Sequence, residues 1–234
     1  MPDLQSFAEN IWTVEGPIVK DMGLLFTTRM TIVKLSNGSV WVESPVPLPP
    51  AALSQIARLG FVRYIVAGTQ RHIWRLKEWH GLFPEAQPWA SRTAKLSVEG
   101  HSLSINNVLT DTPVQDWASD FDQLTFNGNP FLKETFFLHR ESGTVILGDL
   151  IQANPMMKGR PIRNAVFRLM GAAEPKGGVG LDFRLSFTNR ALARQSVERL
   201  LSWDFDKLIL AHGACIRREA KQYVEEAFGW LTGR

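Results

Sequence analysis

The chain has 234 residues, 44% hydrophobic and 21% charged, the proportions of an ordinary globular protein. Its 26 basic and 23 acidic residues leave a net charge of +3, too even to announce a nucleic-acid partner, which needs basic groups gathered on one face. One cysteine, Cys215, excludes an intrachain disulfide and any cysteine-rich zinc motif. No run approaches the roughly 18 apolar residues of a membrane span. The N-terminal MPDLQSFAEN holds two acids and no apolar core, unlike a signal peptide, so a cytoplasmic protein is expected. The length and the lack of a linker suggest one domain over residues 1–234.

In chain order, residues 10–20 read as a strand pair, or as a strand with a Gly-Pro turn. Residues 30–44 are the clearest hairpin, two β-rich runs around Asn37-Gly38, the strongest short-range turn signal. Pro45, Pro47, Pro49 and Pro50 forbid more strand, and Pro50 suits the first turn of a helix over 51–59 stopped by Gly60. Tyr64, Ile65 and Val66 form a buried strand broken by Gly68 and Thr69. His72 falls where a helix over 73–82 starts. Residues 87–90 form a short strand, 97–103 a weakly alternating segment bent at Gly100, and 123–126 a strand stopped by Asn127-Gly128-Asn129-Pro130. A second hairpin joins 134–139 to 144–151. Residues 156–170 are amphipathic, with Ile162, Val166, Leu169 and Met170 on one face. Lys158, Arg160, Arg163 and Arg168 then form a solvated basic face, and a membrane-surface role for them is the less favoured reading. The glycines of 176–180 end this helix. Asn189 caps another, to 201, followed by a strand at 207–210 and a last helix over 216–231.

Three apolar strands each deliver a polar, metal-capable side chain at their ends: His72, Asp149 and His212. In layered α/β folds the loops leaving the C-terminal ends of strands are where ligands sit. Zinc takes about four N, O or S ligands and a catalytic site keeps one position for water. Two histidines and a carboxylate suit zinc, or non-haem iron with open positions. Bland readings stand beside this one: His72 caps the next helix, Asp149 braces a turn, His212 ties two loops. Arg71 or Arg75 in the groove would attract an anionic substrate. Trp74 and Trp79 read as packing, and Cys215 as an inert buried thiol. The glycines near 177–180 lack the preceding strand and the Lys-Ser/Thr ending of a phosphate loop.

MTIVKLSNGSVWVESPVPL, RYIVAG with RHIWRLKEWHGLFPEA, LKETFFLHRESGTVILGDLI and WDFDKLILAHG together resemble the DUF4336 family, in order, over residues 30–231. That family is a branch of the metallo-β-lactamase fold. The resemblance implies an αββα sandwich, two mixed sheets face to face with helices outside, and a groove at one edge of the sheets. Hydrolases of this fold carry Thr-His-x-His-x-Asp-His after the anchor strand. Here Thr69-Gln70-Arg71-His72-Ile73-Trp74-Arg75 keeps His72 alone: Gln70 replaces the first histidine, Trp74 the aspartate and Arg75 the third histidine. DUF4336 proteins usually show two adjacent histidines there, and Ile73 occupies the second place. Asp149 matches the bridging aspartate and His212 the last histidine. The middle histidine has no counterpart, although Glu134 is similar to a glutamate of DUF4336. The resemblance thus implies one ion at most, zinc or iron, on His72, Asp149 and His212, since a two-metal site with ions roughly 3.5–4 Å apart needs more ligands. Glu134 and Asp149 are the catalytic candidates, Glu134 as a fourth ligand or a general base. Two functions remain open, each on a small-molecule substrate or ligand. One is a mononuclear metal-dependent hydrolase of esters, amides or phosphodiesters. The other is a non-catalytic member of the fold that binds no metal and uses the groove for a small molecule or partner.

Overall fold

A computed structural model describes residues 4–98 and 101–233 of the chain. It opens with an antiparallel pair, β1 (Gln5–Ala8) and β2 (Ile11–Glu15), turned at Asn10 in a left-handed conformation with φ 59°. Of the two readings of residues 10–20 the strand with a Gly-Pro turn holds, since β2 runs into Gly16-Pro17. A separate hairpin follows, β3 (Val19–Asp21) and β4 (Leu24–Phe26). β5 (Arg29–Lys34) and β6 (Val40–Glu43) form the hairpin expected around Asn37-Gly38. Gly38 supplies the positive φ of 81° that the turn needs, and the Asn37 side chain accepts the Ser39 N–H at 2.9 Å. Next come α1 (Pro50–Leu59), β7 (Val62–Ala67), α2 (Leu76–Leu82), entered through a 3₁₀ turn at Ile73–Arg75, and β8 (Gln87–Ala90). β9 (Ala94–Val98) and β10 (His101–Ile105) pair as a hairpin where one bent segment was expected; Gly100, its expected bend, lies outside the described residues. The chain continues through β11 (Asn107–Val108), β12 (Phe121–Phe126), β13 (Glu134–His139), β14 (Thr144–Leu147), α3 (Pro161–Met170), α4 (Leu181–Ser186), α5 (Arg190–Leu201), β15 (Lys207–Leu210), α6 (Ala220–Ala227) and α7 (Gly229–Thr232).

Seven strands make one mixed sheet, β1-β2-β5-β6-β7-β8-β11, and four make the second, β12-β13-β14-β15. Alternation along each strand sends side chains to opposite faces, and this builds the layers. Trp41, Tyr64, Val66, Phe137, Ile146 and Ile209 meet between the sheets. Ile32, Val42 and Ile65 turn the other way, under Ile56 of α1 and Trp79 of α2. Phe136, Leu138, Val145, Leu208 and Leu210 pack outward against Val197 of α5, Val224 of α6 and Leu231 of α7. The layers run helix, sheet, sheet, helix: the αββα sandwich that the sequence resembles.

Three expectations in the C-terminal half change. The helix expected over 156–170 begins at Pro161 and buries a different side: Arg163 and Phe167 are buried while Ile162 and Leu169 are exposed, and Lys158, Arg160 and Arg168 are solvated as expected. The cause is its partner. α3 covers the β3–β4 hairpin rather than a sheet, and Arg163 turns inward to donate to the Leu25 and Pro155 carbonyls, each at 2.7 Å. α3 ends at Gly171, in the left-handed region with φ 70°, and residues 181–186 form a helix of their own. The last helix starts at Ala220 because Ile216 pairs with Leu208 as an extra bridge on β15. No described helix is long and apolar enough to cross a membrane.

Candidate metal centre

His72, Asp149 and His212 follow the ends of β7, β14 and β15, on the rim where the two sheets meet. The rim is stitched by main chain: Thr69 bridges Glu134, and the Thr135 N–H donates to the Gly68 carbonyl at 2.7 Å. This brings three loops from two sheets to one point. His72 Nε2 lies 3.4 Å from His212 Nε2 and 3.5 Å from Asp149 Oδ1, and His212 Nε2 lies 3.2 Å from the same oxygen. Among the described residues no other three His, Cys, Asp or Glu side chains converge in this way.

That triangle fits a metal ion. Ligands about 2.0–2.1 Å from a tetrahedral zinc stand roughly 3.3–3.4 Å apart, the length of these three edges. The hydrogen bonds behind the ligands agree. His212 Nδ1 lies 2.6 Å from the Thr27 carbonyl, which only accepts, so Nδ1 carries the proton and, in the neutral ring, Nε2 turns a lone pair to the centre. The Ser44 hydroxyl donates to Glu43 at 2.5 Å and therefore accepts from His72 Nδ1, leaving His72 Nε2 likewise free to ligate. Asp149 receives the Thr69 hydroxyl on Oδ2 at 2.5 Å and keeps Oδ1 for the two imidazoles. Two lone pairs facing a carboxylate oxygen call for a positive charge between them, a proton or a cation.

The electrostatics repeat this demand. Burial opposes ionisation of Asp149, but charge on His72 and hydrogen bonds from both histidines outweigh it and hold the carboxyl well below 3.8. Burial depresses His72, yet Asp149, Glu43 and Glu134 overcome it and lift the ring to about 9. Burial also raises Glu43, and it raises Glu134 to about 8 with help from Asp149. The ionised Asp149 between two imidazoles makes the pocket cation-seeking, while burial disfavours charge on Glu43 and Glu134.

Glu134 stands outside the triangle. Its carboxylate accepts the main-chain N–H groups of Gly148, Asp149 and Leu150, with contacts of 2.6 to 3.2 Å, so it shapes the turn that presents Asp149. On the His212 side, buried Arg29 donates to the carbonyls of Leu210 and Gly213 and pairs with Glu15 at 2.5 Å. Gly213, with φ 104°, leaves no room for a Cβ against the Ala153 carbonyl. Sequence reading missed Glu43, Ser44, Thr69 and Arg29. The available signal was Glu-Ser closing an apolar strand ahead of a proline run, and Ser44 takes a left-handed φ of 55°, strain of the kind found at functional sites.

The residues that replace the fold's other ligands do not join the triangle. Gln70 donates to the Phe131 carbonyl, Ile73 packs into the core beneath α2, Arg75 pairs with Glu78 at 2.6 Å, and Trp74 is 62% exposed. Trp79 is buried, its indole N–H bonded to the Val46 carbonyl at 2.9 Å. Burial pushes the Cys215 thiol up, away from nucleophilic use. A cavity of about 330 Å³ opens over the triangle, walled by Pro17, Val19 and Phe26 on one side and Pro45, Pro47 and Trp74 on the other. Lys20, Arg71 and Arg75 stand at it, with Arg71 paired to Asp21 at 3.1 Å.

Layer order and rim site together define a metallo-β-lactamase-fold protein, and solved structures agree. A metallo-β-lactamase from Erythrobacter litoralis superposes with a TM-score of 0.59 at 16% identity, covering 96% of this chain and 90% of its own. The mono-zinc form of an NDM/FIM-1-like metallo-β-lactamase from the same organism gives 0.61 at 12%, covering 100% and 97%. The metal-soaked Flv1 flavodiiron core from Synechocystis gives 0.62 at 11%, covering 99% and 61%. At these identities the likeness is one of fold. The chain itself belongs to the DUF4336 family, a domain of unknown function whose profile matches residues 8–161. The match takes in His72, Glu134 and Asp149 and stops before His212, so the resemblance read on WDFDKLILAHG lies beyond it. No curated protein matches in sequence.

Proposed function

We propose that His72, Asp149 and His212 bind one zinc ion and that the protein hydrolyses a small-molecule ester, amide or phosphodiester in the cavity above them. The donor triangle of 3.2 to 3.5 Å edges carries this reading, with both Nδ1 atoms committed elsewhere. Zinc supplies Lewis acidity and lowers the pKa of water. The chain's own residues do the rest. Thr69 fixes the free oxygen of Asp149, Glu43 and Ser44 fix the His72 ring, and Glu134 holds the 148–150 turn as a positioning residue rather than as a base. Lys20, Arg71 and Arg75 draw an anionic substrate toward the cavity, whose Pro, Phe and Trp side chains offer it apolar contact. A cytoplasmic setting is part of the same reading, supported by the unpaired Cys215.

One observation favours a second reading, ligand binding without catalysis. None of Gln70, Ile73, Trp74 and Arg75 offers a base or a second set of ligands, and Gln70 and Arg75 are bonded away from the centre. Elemental analysis of untagged protein purified without chelators separates the two. One zinc per chain is expected, falling to near zero in His212→Ala and Asp149→Ala while the far-UV circular dichroism stays native. Wild-type protein without metal, even after growth with added zinc, would leave the second reading alone.

A further inference from the structure

We infer that α3 is a docking face for an anionic phospholipid surface. Ile162 is 79% exposed and Leu169 82% exposed. Seven residues apart, they lie on one side of the helix, with Ala165 between them and half-buried Val166 and Met170 at the edge. Residues 156–173 contain four basic residues and no acid. Of these Arg163 is turned inward, while Lys158, Arg160 and Arg168 are exposed and have no ion-pair partner among the described residues. The helix is firmly seated, so these groups are displayed rather than free to fold back. Arg163 binds the Leu25 and Pro155 carbonyls, and the Phe167 ring stands edge-on to Phe26 at 5.2 Å. Gly171, which closes α3, sits against Arg184 of α4.

Charge decides among occupants. Apolar side chains flanked by unpaired cations match a bilayer whose phosphates lie at the depth of the basic heads while aliphatic groups reach the acyl boundary. A second copy fits poorly, because a twofold contact presents the same patch to itself and sets Lys158, Arg160 and Arg168 near their counterparts with no carboxylate from this helix to offset them. The inference does not rest on the proposed zinc chemistry.

The test is flotation of the full chain with vesicles of phosphatidylcholine alone and of phosphatidylcholine with phosphatidylglycerol. Binding to the mixed vesicles on the order of a hundredfold tighter than to the neutral ones is expected from three cations, and high salt should weaken it. Ile162→Ser/Leu169→Ser and, separately, Arg160→Gln/Arg168→Gln should each reduce it about tenfold or more, with unchanged circular dichroism because the positions are exposed. Equal partition onto both vesicle types, or wild-type binding by both variants, would overturn the inference. So would a dimer in sedimentation velocity that Ile162→Ser/Leu169→Ser dissolves, which would assign the face to a second copy.

Discussion

On the β12–β15 side of the centre, the turns that carry Asp149 and His212 are held through their main-chain groups, with Thr69 also fixing one Asp149 oxygen, whereas on the β5–β8 side His72 is placed by side chains alone. Glu134 gathers three successive N–H groups and Arg29 two carbonyls, so each ligand loop there is a backbone shape held by one buried polar side chain. His72 depends on a relay, Glu43 to Ser44 to its own ring. The difference sets what each side tolerates. Removing a side chain that gathers backbone leaves several buried polar groups unpaired at once. Altering a side chain in the 70–75 run costs little more than that side chain, and that run is where the ligands of the wider fold are replaced by Gln70, Trp74 and Arg75.

The largest effect that would sharpen this contrast is at Glu134. Glu134→Ala strands the N–H groups of Gly148, Asp149 and Leu150 in a buried turn, which should lower unfolding stability by about 3–5 kcal/mol. The denaturation midpoint, read on metal-free protein, isolates the fold from the ion. Glu134→Gln keeps one acceptor oxygen and should lose less. A drop no larger than that of a surface substitution would mean the backbone account of this side is wrong.

The same contrast explains what could be read in the chain beforehand. Asn37-Gly38, Pro50 and Asn189 act locally, so the hairpin, the α1 start and the α5 cap follow from a few adjacent residues. His72, Asp149 and His212 each close an apolar run, and strand-end placement flags them individually. The second layer was hidden because its partners are far apart in sequence. Thr69 meets Asp149 across 80 positions and Arg29 meets Gly213 across 184, distances that no periodicity spans. α3 misled for a related reason. Its hydrophobic period is sound, but the face that gets buried is chosen by the β3–β4 hairpin and by Arg163 finding two carbonyls. Here two carbonyls let the Arg163 guanidinium take the interior place and leave Ile162 outside, and composition alone does not show those acceptors.

A middle-sized effect belongs to the relay. Ser44→Ala removes the acceptor of His72 Nδ1–H, freeing the ring to rotate or change tautomer, and takes one donor from buried Glu43, a cost to the fold of about 1–3 kcal/mol. Zinc affinity should fall about 10–100-fold by competition with a chromophoric chelator. Trp74→Ala, in the same wall of the cavity, should leave it unchanged. Equal losses in the two variants would show that the wall as a whole, and not the relay, holds His72.

The smallest effect lies at the far end of β13. His139 is buried there with Nδ1 2.9 Å from the Ser142 hydroxyl and its ring edge-on to Phe121. Burial lowers its pKa below 6.5, against the opposing pull of Glu141 and Asp120, so the folded chain keeps the ring neutral where the unfolded chain protonates it. The unfolded state then binds more protons between the lowered value and 6.5. This contribution to stability is complete above 6.5 and shrinks as pH falls through the folded value. His139→Gln can still bond to Ser142 but cannot titrate. Its midpoint should therefore run parallel to that of the wild type above pH 6.5 and decline less steeply below it. Measuring both proteins free of metal lets protonation at His72 and Asp149 enter the two curves alike, so the difference between them reports position 139. Curves that stay parallel through the acid range would mean that His139 takes up its proton without leaving its place in the sheet.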